Sequence, residues 1–280
     1  MNMLKTLVLM GCLTALIVAM GGVFGGQQGV EIAFVIALVV NVGSYWFSAN
    51  IALAMSNAQP VDRAQVPQLY EIVERICQQA NLPVPKIYII PTESPNAFAT
   101  GRDPEHSAVA VTEGIMRLLT WEELEGVLAH ELGHVRNRDV LITTIAAVLA
   151  AVVTWLPHLM FYNRGDDREN VSPFMMIGMA IAAPFAAMLI NLAISRSREY
   201  EADATGAKLC GHPLALASAL DKIDQQSRAV PFVEANPALS SLYIMPTNTM
   251  SWFNSLFSTH PPTPDRIERL RAMAQRTGEG

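Results

Sequence analysis

A chain of 280 residues has room for one or two compact domains, but a composition 51% hydrophobic and only 16% charged is too apolar for an ordinary soluble enzyme and places part of it in lipid. Its formal net charge of -6 is scattered without any basic stripe, which argues against a nucleic-acid partner. Cys12, Cys77 and Cys210 form neither a metal-binding spacing nor an even disulfide framework, so the soluble part is expected to face a reducing compartment.

Residues 6–25 make an uncharged run of spanning length behind a short segment carrying Lys5, and residues 32–55 make a second. A cleaved signal peptide would begin the same way, yet a second span follows at once where a mature domain would start, which favours a membrane helix. Asn41, Ser44 and Asn50 are expected to form hydrogen bonds between helices. From residue 56 the composition turns polar, and Val66, Leu69, Tyr70, Val73, Ile76 and Cys77 mark one face of a helix that Leu82-Pro83 closes. Residues 86–90 and 107–112 have the β-branched content of strands, with Asn96-Ala97-Phe98-Ala99-Thr100-Gly101 between them. This small sheet either just supports the next helix or offers an edge to an extended substrate backbone.

That next helix, over 122–137, carries His130-Glu131-Leu132-Gly133-His134. Residues four apart share a helix face, so His130 and His134 converge on one metal ion with Glu131 beside them, the pattern of a zinc hydrolase. Thr120-Trp121-Glu122-Glu123 fits a capping box, and Leu124, Val127 and Leu128 supply the buried stripe. Residues 140–162 and 174–194 are again charge-free and of spanning length, giving four spans in all. Of 19 Lys and Arg, only Arg164 and Arg168 lie between the third and fourth spans and none between the first two. The excess on the other side places both termini, and segments 56–139 and 195–280, in the cytoplasm.

Beyond the fourth span the helical pattern continues through Arg198-Glu199-Tyr200-Glu201-Ala202-Asp203. Glu199 and Asp203 share a face that Glu201 does not. Glu199 is therefore the favoured third ligand and Asp203 the acceptor for the free N–H of a ligating imidazole, with Glu201 the competing choice. A solvated acidic helix face is the alternative had this segment stood alone. His260, in the proline-framed run before the terminal helix, either donates to an oxyanion or serves packing.

Taken together, Asn96 to Gly101 (N-A-F-A-T-G), His130 to His134 (H-E-L-G-H), Arg198 to Asp203 (R-E-Y-E-A-D) and His260-Pro261-Pro262, in that order with four spans, resemble the HtpX family of bacterial membrane-integrated zinc endopeptidases. The resemblance implies an α-rich α+β membrane protein: two spans in 1–55, a hairpin of spans in 140–194, and a cytoplasmic gluzincin-like protease part built from 56–139 and 195–280. It implies Zn2+ on His130, His134 and Glu199, with Glu131 catalytic, His260 a candidate catalytic donor, and Asn96, Ala97 and Phe98 binding substrate. Damaged or misassembled membrane proteins of the bacterial inner membrane would be the substrates, in stress-linked quality control. Eukaryotic prenyl-protein proteases share the two metal motifs, but this chain lacks the extra spans that enclose their chamber. A zinc-containing scaffold without turnover would have no need of Glu131, and a transporter would need charged residues that the spans lack.

Overall fold

The structure, a computed structural model, describes residues 2–149, 196–229 and 263–278. The fourth predicted span, most of the third, and His260 lie outside them. α1 (Asn2–Met55) is two helical arms meeting at Gly26, whose φ of 56° and ψ of -144° fold the chain back on itself. The connector expected between the first two spans is thus absorbed into helix. Such a tight return needs bare backbone: a Cβ on Gly29 would lie 2.1 Å from the Gly21 carbonyl oxygen. Leu13, Ile17, Ala33 and Ala37 form the seam between the arms, while Phe34, Val35, Leu38 and Val39 face outward and exposed. Asn41 Nδ2 crosses the seam to donate to Thr14 Oγ1 at 2.7 Å. Gly26–Met55, 30 residues that include an 18-residue stretch of mean hydropathy 1.8, is long and apolar enough to cross a bilayer.

After β1 (Gln59–Pro60), α2 (Pro67–Ala80) presents Leu69, Ile72, Val73, Ile76 and Cys77 to the core. Then come β2 (Lys86–Ile90), β3 (Ala97–Gly101) and β4 (Ser107–Thr112). The sheet order is β1-β2-β4-β3, with β2 and β4 parallel and both outer pairs antiparallel. The stretch between the two predicted strands is therefore itself a strand, at the sheet edge. Every residue of β3 and β4 is buried, because both faces are covered. Ile87, Val109, Val111, Ala97 and Ala99 face the protease core. Ile90, Phe98, Ala108 and Ala110 face the end of α1, at Ala52 and Leu53, and Ala147 beyond.

A short α3 (Glu113–Leu118) leads to α4 (Trp121–Arg136), started by the Thr120–Glu123 capping box. Lys222 and Ser218 also bond the Glu123 carboxylate, at 2.8 and 2.6 Å, tying the start of α4 to α7 (Pro213–Ala229). α5 (Val140–Leu149) buries Ile142, Ile145, Ala146 and Leu149 against the α1 seam. α6 (Arg196–Cys210) crosses α4 closely, since a Cβ on Gly206 would stand 2.7 Å from the backbone nitrogen of His130. The terminal α8 (Thr263–Thr277) packs Ile267 and Leu270 into the same core.

Candidate metal centre

The centre forms where α4 and α6 cross. One turn of α4 puts His130 and His134 on a single face, and α6 brings Glu199 to meet them; the three ligand atoms lie within 4.8 Å of one another. The two imidazole Nε2 atoms are 3.2 Å apart, and Glu199 stands 3.7 Å from His130 Nε2 and 3.5 Å from His134 Nε2. Glu199 is buried and Glu201 exposed, as their opposite helical phases require.

The far side of each ring is also held. His130 Nδ1 lies 2.9 Å from Asp203 Oδ1, and His134 Nδ1 lies 3.2 Å from both Asp139 oxygens. Each carboxylate assigns the ring proton to Nδ1 and leaves a lone pair on Nε2. Facing each other at 3.2 Å, two such lone pairs need either a shared proton or a metal cation between them. Two nitrogens held tetrahedrally about 2.0 to 2.1 Å from one ion stand roughly 3.3 to 3.4 Å apart, so the residues fit a divalent metal.

Arg266 of α8 closes the back of the site. It is wholly buried, with Nε donating to Asp203 Oδ2 at 2.8 Å and Nη2 to Asp203 Oδ1 at 2.7 Å. Burial alone would raise the Asp203 carboxyl, but the guanidinium outweighs it and holds the carboxyl below the ordinary aspartate range. His130 is lowered, by burial first and against the pull of Asp203, and the nearby positive charge of Arg266 adds to the effect. Burial would lower His134 as well, yet the carboxylates of Glu199 and Asp139 override it and push the ring up to about 10. A pocket negative enough to retain that proton is one that favours a cation in its place.

Glu131 is 4% exposed and accepts a hydrogen bond from the Ala99 N–H at 3.0 Å, which docks the helix on the β3 edge. Burial pushes its carboxyl up to about 8, with His134 opposing and Glu199 adding to the rise. A divalent cation alongside would draw it down again.

The match of residues 63–274 to the model of peptidase family M48 covers most of the chain, centre included. A protease HtpX homolog of Syntrophobacter fumaroxidans is 51% identical over 277 residues, covering 96% of this chain and 98% of its own. The chain belongs to the HtpX family of M48 peptidases. HtpX homologs of Burkholderia mallei and Burkholderia pseudomallei are each 48% identical over 281 residues, covering 99% of this chain and 98% of theirs. A solved structure, that of S. mikatae Ste24p, aligns with TM-score 0.49 and 20% identity, over 96% of this chain and 65% of that one. This HtpX-family chain is a membrane-associated metalloprotease.

Sequence reasoning did not find Asp139 or Arg266. Asp139 precedes an apolar run, where an acidic residue reads as a membrane-boundary marker, and it reaches His134 only because Arg138, at φ 56°, turns the chain back. Arg266 did leave a signal: it falls in the helical phase of Ile267, Leu270 and Ala274, and a lone cation on a buried stripe calls for a buried anion. Asn96 is buried, its side chain accepting from the Ala97 N–H at 3.0 Å. Phe98 is fully buried on the α1 side of the sheet, in the cluster with Ala52, Leu53 and Ala147.

Proposed function

We propose that the chain is a zinc endopeptidase of the bacterial cytoplasmic membrane, with His130, His134 and Glu199 as ligands and Glu131 as the proton carrier. The apposed Nε2 atoms closed by Glu199 carry the reading. When bound, zinc supplies a Lewis acid and lowers the pKa of a water to about 7. Asp203 and Asp139 fix the imidazole tautomers from behind, and Arg266 keeps Asp203 ionised while it does so. Glu131 takes the proton of the attacking water on Oε1, since Oε2 is engaged by Ala99, and passes it to the departing amine.

The substrate lies along β3. Thr112 N–H bonds the Asn96 carbonyl, so Asn96, Phe98 and Thr100 turn their backbone groups to β4, and Ala97 and Ala99 turn theirs to the outer edge, where Asn96 Oδ1 and Glu131 Oε2 take their N–H groups and their carbonyls are the acceptors offered to a peptide. An extended peptide pairing there passes beside Glu131. Asn96 steadies the start of that edge and Phe98 anchors it from behind. His260 remains a candidate donor to the oxyanion.

We further propose four spans, with both termini and the centre in the cytoplasm. α5 supports the third: it begins one residue after Asp139, which holds His134, and runs into the α1 seam. Zinc then sits close above the membrane surface, and cuts fall in cytoplasmic loops or tails of damaged or misassembled membrane proteins. The reading is tested on detergent-purified protein with casein and with a membrane-protein substrate. Glu131→Gln should abolish hydrolysis while zinc stays near one per chain, because the residue acts on water and not on the metal. Near-normal turnover in that variant, or fragment ends confined to periplasmic loops, would overturn the role or the topology respectively.

A further inference from the structure

The second arm of α1 sets a level for the bilayer. Trp46 lies 20 residues after the turn at Gly26, about 30 Å of helix at 1.5 Å per residue, which matches a hydrocarbon core. Lys5 stands 21 residues before the same turn on the other arm, and Gln27, Gln28 and Glu31 cluster at the tip. Trp46 is therefore at a membrane boundary, where indole rings concentrate, and it is 55% exposed beside Phe47 at 58%. From there the arm rises as a stalk and lays Ala52 and Leu53 on the sheet.

Between that stalk and the sheet opens a cavity of about 370 Å³, within the range of small-molecule sites. Its lining differs from the lipid-facing surface below it. Lys86 and Arg102 bring two cations, Glu105 a carboxylate, Tyr88 and Ser107 hydroxyls, and Trp46 an aromatic wall. The Arg102 guanidinium is held 4.7 Å from the Trp46 ring centre, and Asp103 partly offsets it at 3.3 Å. His106 is occupied with the same Asp103, at 2.6 Å. Among the described residues, Lys86 and Glu105 have no ion-pair partner, and each faces the cavity with its charge unmatched.

We propose that this cavity holds a phospholipid headgroup that carries both a phosphate and a primary ammonium. Lys86 and Arg102 take the phosphate, Glu105 takes the ammonium, and the acyl chains descend over the exposed faces of Trp46 and Phe47. A purely anionic headgroup matches less well, because Glu105 and Asp103 offset the two cations. A quaternary ammonium cannot donate to Glu105, and the Trp46 ring that would receive it already carries Arg102. The occupant is a lipid because the cavity opens at headgroup level beside exposed apolar side chains. It lies on the side of the sheet facing α1, opposite the side that packs toward α4, so it is separate from the metal centre. The inference rests on the reading of α1 as membrane-spanning.

The test uses the full chain in nanodiscs of equal phosphatidylethanolamine, phosphatidylcholine and phosphatidylglycerol, released gently and weighed by native mass spectrometry. Wild type should retain one phosphatidylethanolamine in preference to the other two, undisplaced by excess inorganic phosphate. Lys86→Gln combined with Arg102→Gln should cut retention at least tenfold. Glu105→Gln should keep a bound lipid but lose the preference for ethanolamine. All variants should melt with wild type and digest casein at its rate, with chelator sensitivity reporting separately on the protease reading. Equal retention in the double variant, an unchanged preference in Glu105→Gln, or displacement by inorganic phosphate would each overturn the proposal.

Discussion

Replacing Arg266 by Met keeps most of its length and removes its charge. Two charge-assisted bonds to Asp203 are lost, at 2.8 and 2.7 Å, from a side chain with no solvent exposure. Asp203 is left 3% exposed with no cation facing it, and breaking one side of such a buried pair costs about 3 to 5 kcal/mol. For a chain of this size that is a fall in melting temperature of roughly 6 to 20 °C. Asp203 also holds His130 Nδ1, so zinc affinity should fall as well, by about 10- to 100-fold as for other supports behind a metal ligand. The double variant Arg266→Met, Asp203→Asn separates the two effects. With no uncompensated charge left buried, it should recover much of the stability, yet its zinc affinity should stay low because His130 has lost its carboxylate. Thermal melts with and without zinc, and competition against a chelating dye, read the two quantities. A single variant that melts and binds zinc like wild type would show that the buried pair neither secures α8 nor orients His130.

The remaining expectations concern the other supports of the site. Asp139→Ala should weaken zinc binding about 10- to 100-fold in the same dye competition, because His134 Nδ1 loses its acceptor. Glu199→Ala should lose both zinc and casein hydrolysis while the exposed Glu201→Ala changes little; zinc lost only in the Glu201 variant would refute the assigned helix phase. Glu123→Ala should cost about 1.5 to 3 kcal/mol at neutral pH, since the carboxylate bonds Lys222, Ser218 and the Thr120 amide. Burial works to raise that carboxyl, but those partners prevail and lower it. Its contribution is then fully present above the ordinary glutamate pKa of about 4.3 and is lost as pH falls through the lowered folded value. The stability gap between wild type and the variant, followed by denaturant titration, should close below about pH 4.3; a gap unchanged there would refute the ionic role.

Much of this protein was legible in one dimension because its information is periodic. The 3.6-residue repeat alone puts His130 beside His134, Glu199 in phase with Asp203, and Glu201 on the other side, so the ligand faces could be read without coordinates. The Thr120 to Glu123 cap was equally local. What escaped depends on contacts across the fold. Asp139 reaches His134 through a left-handed turn at Arg138, a conformation that a non-glycine side chain adopts only when its surroundings enforce it. Arg266 meets Asp203 across 63 positions, and nothing in the spacing between them specifies that approach. β3 was hidden because its strand identity comes from pairing with β4, and the burial of its second face comes from the end of α1, which its own sequence shows only as apolar length. Helical phase fixes which side chains share a face, whereas only the packing of those faces decides which carboxylate stands behind each imidazole.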